Sequence, residues 1–141
     1  MNQAEREGLV HNTQNTASGL QFICNCCSCS CAPLMAVKNL KLHGRMGRSL
    51  YLAQIDSNLC TGCEDCVDRC HFAAISMEGQ TAKVNEGFCM GCGVCTSSCS
   101  TGAISLIGKP EDQIIQPPAN LEAMFDQIGK EKGRSMKGVL E

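Results

Sequence analysis

Eight cysteines in two runs of identical spacing carry the chemistry of this chain. Cys60, Cys63, Cys66 and Cys70 follow the pattern C-x2-C-x2-C-x3-C, and Cys89, Cys92, Cys95 and Cys99 repeat it 29 residues later. The runs share a Gly between their first two cysteines, Gly62 and Gly91, and each is followed by Ala-Ile-Ser, at Ala74–Ser76 and Ala103–Ser105. This is a duplicated unit. Three thiols at intervals of three residues wrap one edge of a metal centre, and a fourth must arrive from outside that tight loop. A cubane with four iron corners has this need. In runs of this spacing the fourth Cys ligates the other cluster, so one [4Fe–4S] cluster takes Cys60, Cys63, Cys66 and Cys99, and the second takes Cys89, Cys92, Cys95 and Cys70. A Gly inside each run permits strained backbone and close approach of N–H groups to sulfur. Structural zinc also uses four Cys, but through paired CxxC knuckles, and an isolated redox CxxC would sit in a βαβ unit that is missing here.

A second group is denser. Cys24, Cys26, Cys27, Cys29 and Cys31 place five thiols within eight residues, too many for packing to explain. A third iron–sulfur cluster on four of the five, with His11 as a further candidate ligand, leads the readings. A Zn or Cu(I) thiolate site and redox-active dithiols are the alternatives.

Short elements must position these loops. Tyr51–Asp56, Ala74–Glu78, Ala82–Asn85 and Ala103–Ile107 read as strands, with a helical turn over Asp65–Cys70. Such pieces bury little, and with aromatic residues at 4% and no Trp the metal centres themselves must serve as core. Before them, Ala32–His43 reads as a helix, with Pro33 near its start, Gly44 as its stop, and Lys38, Lys41 and His43 favouring its C-terminal dipole. Its apolar face, built on Leu34, Met35, Val37 and Leu42, is loose. After Gly108, Pro110, Pro117 and Pro118 suggest an extended linker. Ala119–Ile128 follows as an amphipathic helix, with Leu121, Met124, Phe125 and Ile128 on one stripe that favours a partner subunit over its own surface. Three segments result: a Cys-rich head and helix over 1–50, a dicluster domain over 51–108, and a linker with helix over 109–141.

Residues 51–108 resemble a bacterial two-cluster ferredoxin, and the head, with His11-Asn12 and Phe22–Cys27, resembles Cys-dense blocks that precede such segments in some bacterial iron–sulfur proteins. The resemblance implies an α+β, pseudo-twofold dicluster fold and one-electron transfer between partner enzymes. The chain departs from the family where a Pro usually follows each fourth Cys: His71 and Ser100 stand there. The missing Pro would loosen the turn, and His71 reads as an exposed turn residue.

Charge and signals bound the rest. The formal net charge is −2, which argues against nucleic acid as a partner. Residues 51–109 are locally acidic, a face suited to basic redox partners. No signal peptide or membrane span is visible, which predicts a cytoplasmic protein with reduced, free thiols. No dinucleotide, flavin or Ser/His/Asp motif appears. The expected function is therefore a ferredoxin-like subunit relaying electrons to a catalytic partner of an oxidoreductase complex. A redox enzyme or reductive activator, and a redox sensor, are the alternatives, each using a special N-terminal cluster.

Overall fold

The computed structural model describes residues 1–42, 46–47 and 49–135. Two compact units make up the chain: one of residues 1–11 and 25–114, the other of 12–24 and 115–141. Neither is contiguous in sequence.

The first unit is α+β and carries both Cys runs. Strand β3 (Tyr51–Ile55) pairs antiparallel with β6 (Ile104–Gly108), with Tyr51 opposite Gly108 and Ile55 opposite Ile104. Strand β4 (Ile75–Glu78) pairs with β5 (Thr81–Val84) across a two-residue turn at Gly79 and Gln80. In β4 and β5 alternation drives the pairing: Ile75 and Ala82 point into the core, while Ser76 and Lys83 face outward. In β3 and β6 the adjacent Leu52 and Ala53, and Ile104, are buried, while Gln54 is exposed. Two five-residue helices, α3 (Asp65–Arg69) and α4 (Val94–Ser98), occupy equivalent places, each starting one residue before the third Cys of its run. The duplication also reaches the backbone: Gly62 and Gly91, Glu64 and Gly93, and Ala73 and Gly102 are pairs 29 apart, and all six residues have positive φ. Two non-glycine residues accept left-handed geometry on the first side, so the loop shape outranks local preference.

The elements expected from the sequence are present with ends shifted by one or two residues. The helix after the Cys-dense block differs more. Helix α2 spans Ala32–Leu40 and ends at Lys41 in left-handed geometry, whereas the sequence suggested continuation to His43 and a stop at Gly44; those two residues lie outside the described ones. Leu34 and Val37, one turn apart, are 0% and 1% exposed. Leu40 and Leu42 are largely exposed, so extending the helix would bury nothing further.

Before these elements come α1 (Asn2–Arg6), β1 (Val10–Thr13) and β2 (Ile23–Cys26), the last two forming a two-stranded sheet. Residues 1–11 are anchored by side chains beside the first Cys run. The Arg69 guanidinium donates to the Glu5 and Arg6 carbonyls at 3.5 and 3.1 Å, satisfying the open C-terminal end of α1. Phe72, at 2% exposure, is the one aromatic ring fully buried among the described residues. The rest of the core is small aliphatic side chains and cysteines.

In the second unit, the backbone N–H groups of Ala17 and Ser18 donate to the Pro118 and Ala119 carbonyls at 2.8 and 3.1 Å. Helix α5 (Leu121–Glu131) starts at the first residue of its apolar stripe, two residues after the expected Ala119, because the Asn120 side chain caps it by accepting from the Ala123 N–H at 2.9 Å. The stripe residues Leu121, Met124, Phe125 and Ile128 are half-buried. The Pro-flanked segment is thus tied to residues 17–18 within one unit, where an extended linker was expected.

Gly91 and Gly102 test this backbone directly. A Cβ on Gly91 (φ +69°) would collide with the Tyr51 carbonyl, which cannot swing away, while one on Gly102 (φ +67°) meets nothing within 4 Å. Gly102→Ala should therefore cost only the left-handed penalty of about 1–2 kcal/mol, and Gly91→Ala clearly more. Denaturant unfolding of the iron-loaded chain measures both; equal losses would contradict the packing described.

Candidate iron–sulfur sites

The loops that precede α3 and α4 turn sharply, and each carries its first three thiols around a cavity. The first cavity, about 340 Å³ of space partly open to solvent, is lined by Cys60, Cys63, Cys66 and Cys99, with Ile55, Ala82 and Ile104 among its apolar walls. The second, about 350 Å³, is lined by Cys89, Cys92, Cys95 and Cys70, with Phe72, Ile75 and Val94. Each fourth Cys thus lies with the opposite run. Helices α3 and α4 produce this crossing: each begins beside one cavity and delivers the Cys at its C-terminal end, Cys70 or Cys99, to the other.

Electrostatics group the thiols in the same way. Burial pushes the Cys66 thiol above its ordinary value, and the neighbouring Cys63, Cys60 and Cys99 add to the rise. Burial likewise raises Cys92 to about 11, with Cys70 and Cys89 contributing. Cys95 rises to about 12, through burial and then Cys92, Cys70 and Cys89. For Cys99, burial raises the value, but hydrogen bonds from the Thr101 side chain and from the Ala103, Ile104 and Thr101 N–H groups outweigh it, and the net shift is downward. Around Cys66, Cys92 and Cys95 the crowded sulfurs disfavour further negative charge, which a bound cation would relieve.

The two cavities differ in character. Cys89 and Cys95 are buried behind aliphatic walls, whereas Cys63 is exposed and the first cavity includes Glu64 and Asp65. Backbone N–H groups reach the sulfurs: Ala74 N–H to Cys70 Sγ at 3.3 Å and Ala82 N–H to Cys60 Sγ at 3.5 Å. Such donors stabilise thiolate ligands and tune the potential of what they hold. Among the described residues, no group of three or more His, Cys, Asp or Glu converges as it would on a single metal ion; the eight thiols instead line two cavities, four around each.

The residues of the Cys-dense block line neither cavity, and within the block the Cys27 and Cys29 sulfurs lie against each other. His11 is engaged by Asn25, Nδ1 to Oδ1 at 2.6 Å.

His71 also departs from expectation. It is half-buried and bonded on both sides of its ring, where an exposed turn residue was predicted. Nδ1 receives the Ser28 N–H at 3.2 Å and lies 3.1 Å from the Ser28 hydroxyl, while Nε2 lies 2.7 Å from the Gly8 carbonyl. A backbone N–H can only donate, so Nδ1 is the bare nitrogen and Nε2–H donates to Gly8. These bonds hold the turn that a Pro would otherwise stiffen. Arg69 and His71, flanking Cys70, escaped the sequence reading as anchoring residues; the absent Pro was the available signal.

Because Cys92 and Cys95 stay protonated up to about pH 11 and 12 without metal, each must shed a proton to become a ligand. Cluster assembly should therefore release protons and strengthen as pH rises from about 7 to about 9, by up to roughly tenfold per unit for each proton released. Anaerobic reconstitution followed by pH-stat measures this, and assembly without proton release would contradict the thiol environment described.

Comparison with known proteins follows the same lines. No curated protein matches the chain significantly. No helix among the described residues is long and apolar enough to cross a membrane. Residues 59–103 match the 4Fe-4S dicluster domain family, which makes this segment iron–sulfur and ferredoxin-like and supports a role in electron transfer.

Proposed function

We propose that the chain is a two-cluster electron carrier that serves as the ferredoxin-like subunit of a larger oxidoreductase, with a pseudo-twofold dicluster fold over residues 51–108. Cys60, Cys63, Cys66 and Cys99 hold one [4Fe–4S] cluster; Cys89, Cys92, Cys95 and Cys70 hold the other. Bound clusters of this type supply reversible one-electron oxidation and reduction. One observation carries the reading: eight thiols divide four and four between two cavities, each quartet completed from the opposite run.

The chain's own residues do the rest. Aliphatic walls flank Cys89 and Cys95 at the second site, and N–H donors at Cys70 and Cys60 stabilise thiolate charge. The exposed Cys63, beside Glu64 and Asp65, forms the edge where a partner approaches. An acidic rim favours a partner with a basic docking surface.

Anaerobic iron and acid-labile sulfide analysis tests the proposal. About eight of each per chain is expected from two cubanes. Stoichiometric zinc without sulfide would overturn it, and about twelve of each would place a third cluster on the Cys24–Cys31 block.

A further inference from the structure

The repeat is symmetric in its cysteines but not in the residues that flank the fourth one. Cys70 stands between Arg69 and His71, whereas Cys99, 29 residues on, stands between Ser98 and Ser100. The serines stay local. The Ser98 hydroxyl donates to the Cys95 carbonyl at 3.0 Å within α4, and Ser100 is exposed. The Cys99 sulfur itself lies 3.5 Å from the Thr101 hydroxyl. Arg69 and His71 are half-buried, and their long side chains reach carbonyls more than 60 residues away.

What they reach is the closed end of α1. The Gly8 N–H donates to the Glu5 carbonyl at 2.9 Å and the Leu9 N–H to the Ala4 carbonyl at 2.8 Å, around Gly8 at φ +75°. This left-handed closure uses the Ala4 carbonyl and part of the Glu5 carbonyl. Arg69 takes the Arg6 carbonyl and shares that of Glu5, and His71 Nε2–H takes the Gly8 carbonyl at 2.7 Å. Gly8 is buried, and a Cβ there would sit 3.1 Å from Arg69 Nη1, so the turn lies directly against the guanidinium. Val10, two residues on, is 1% exposed in the core that also holds Cys66, Cys89 and Cys95. The head is therefore seated, and it offers a fixed anchor.

A ligand at the end of a five-residue helix has little local structure to hold it. Cys70 has the Ala74 N–H on its sulfur and, on either side, a residue bound to the head. If the crossed ligation proposed above is right, Cys70 completes the second quartet, so a hold on Cys70 acts on the second cluster and not on the one bound by its own run. Groups that orient a metal ligand from behind in this way govern retention of the metal. We propose that residues 5–8 form a clamp on Cys70, with Arg69 and His71 as the positioning residues that retain the second cluster. The first cluster, closed by Cys99, has no such clamp.

The test mixes the iron-loaded full chain anaerobically with excess bathophenanthroline disulfonate, an iron(II) chelator. EPR of reduced samples follows the two clusters, with Cys60→Ser and Cys89→Ser marking which signal belongs to which cavity. Arg69→Ala and His71→Ala should each speed loss of the second cluster by about threefold to tenfold, the worth of one or two hydrogen bonds. The first cluster should be lost at its unaltered rate, which also reports that each variant is folded. His71→Gln, which keeps an amide donor for the Gly8 carbonyl, should restore much of the retention. Ser100→Ala, the counterpart of His71→Ala, should leave both rates unchanged. Equal acceleration of both clusters would make Arg69 and His71 general packing residues and overturn the clamp, as would no change in either rate. About eight iron and eight sulfide ions per unaltered chain, measured before chelation, keep a failure of the clamp distinct from a failure of the two-cluster reading.

Discussion

A thiolate quartet is an arrangement of like charges, and burying it is unfavourable until a cation is enclosed. Everything in the first unit answers that constraint. Three sulfurs of each quartet come from one tight loop, and the loop has no room for a fourth. The fourth therefore comes from the end of the other loop's helix, Cys99 for the first cavity and Cys70 for the second. Once both quartets close in this way, neither half of the repeat can be completed alone. The strand pairs add hydrogen bonds and aliphatic walls, but they are short, and the one fully buried ring among the described residues, Phe72, lines the second cavity. Iron, sulfide and cysteine do the work that large side chains do in other domains of this size.

The same constraint explains the asymmetry between the sites. Desolvation raises the proton affinity of Cys92 and Cys95, so a metal centre must displace tightly held protons to bind them. The first cavity, with an exposed Cys63 and two carboxylates near it, keeps contact with solvent. A carrier needs both kinds of surroundings: insulation for its centre and an edge where electrons enter or leave.

Much of this was legible in the sequence because spacing encodes it. The strands and one-turn helices fall where alternation and the Cys repeat put them, and Gly62 and Gly91 have the left-handed geometry that their place inside the runs requires. What escaped was long-range. Arg69 and His71 act on carbonyls more than 60 residues away, and Ala17 and Ser18 bond to residues just past Pro117; no local pattern announces such partners. Asn120 stands directly before the first stripe residue and is of a capping type, so the start of α5 was readable.

Crossed closure of the two quartets is the central claim, and Cys70→Ser tests it most directly. EPR of the reduced, iron-loaded variant, read against the unaltered chain and against Cys89→Ser, assigns the perturbed centre. The account predicts that Cys70→Ser disturbs the same cluster as Cys89→Ser and leaves the signal of the Cys60, Cys63 and Cys66 cluster intact. Loss of that latter signal, with the other preserved, would contradict it.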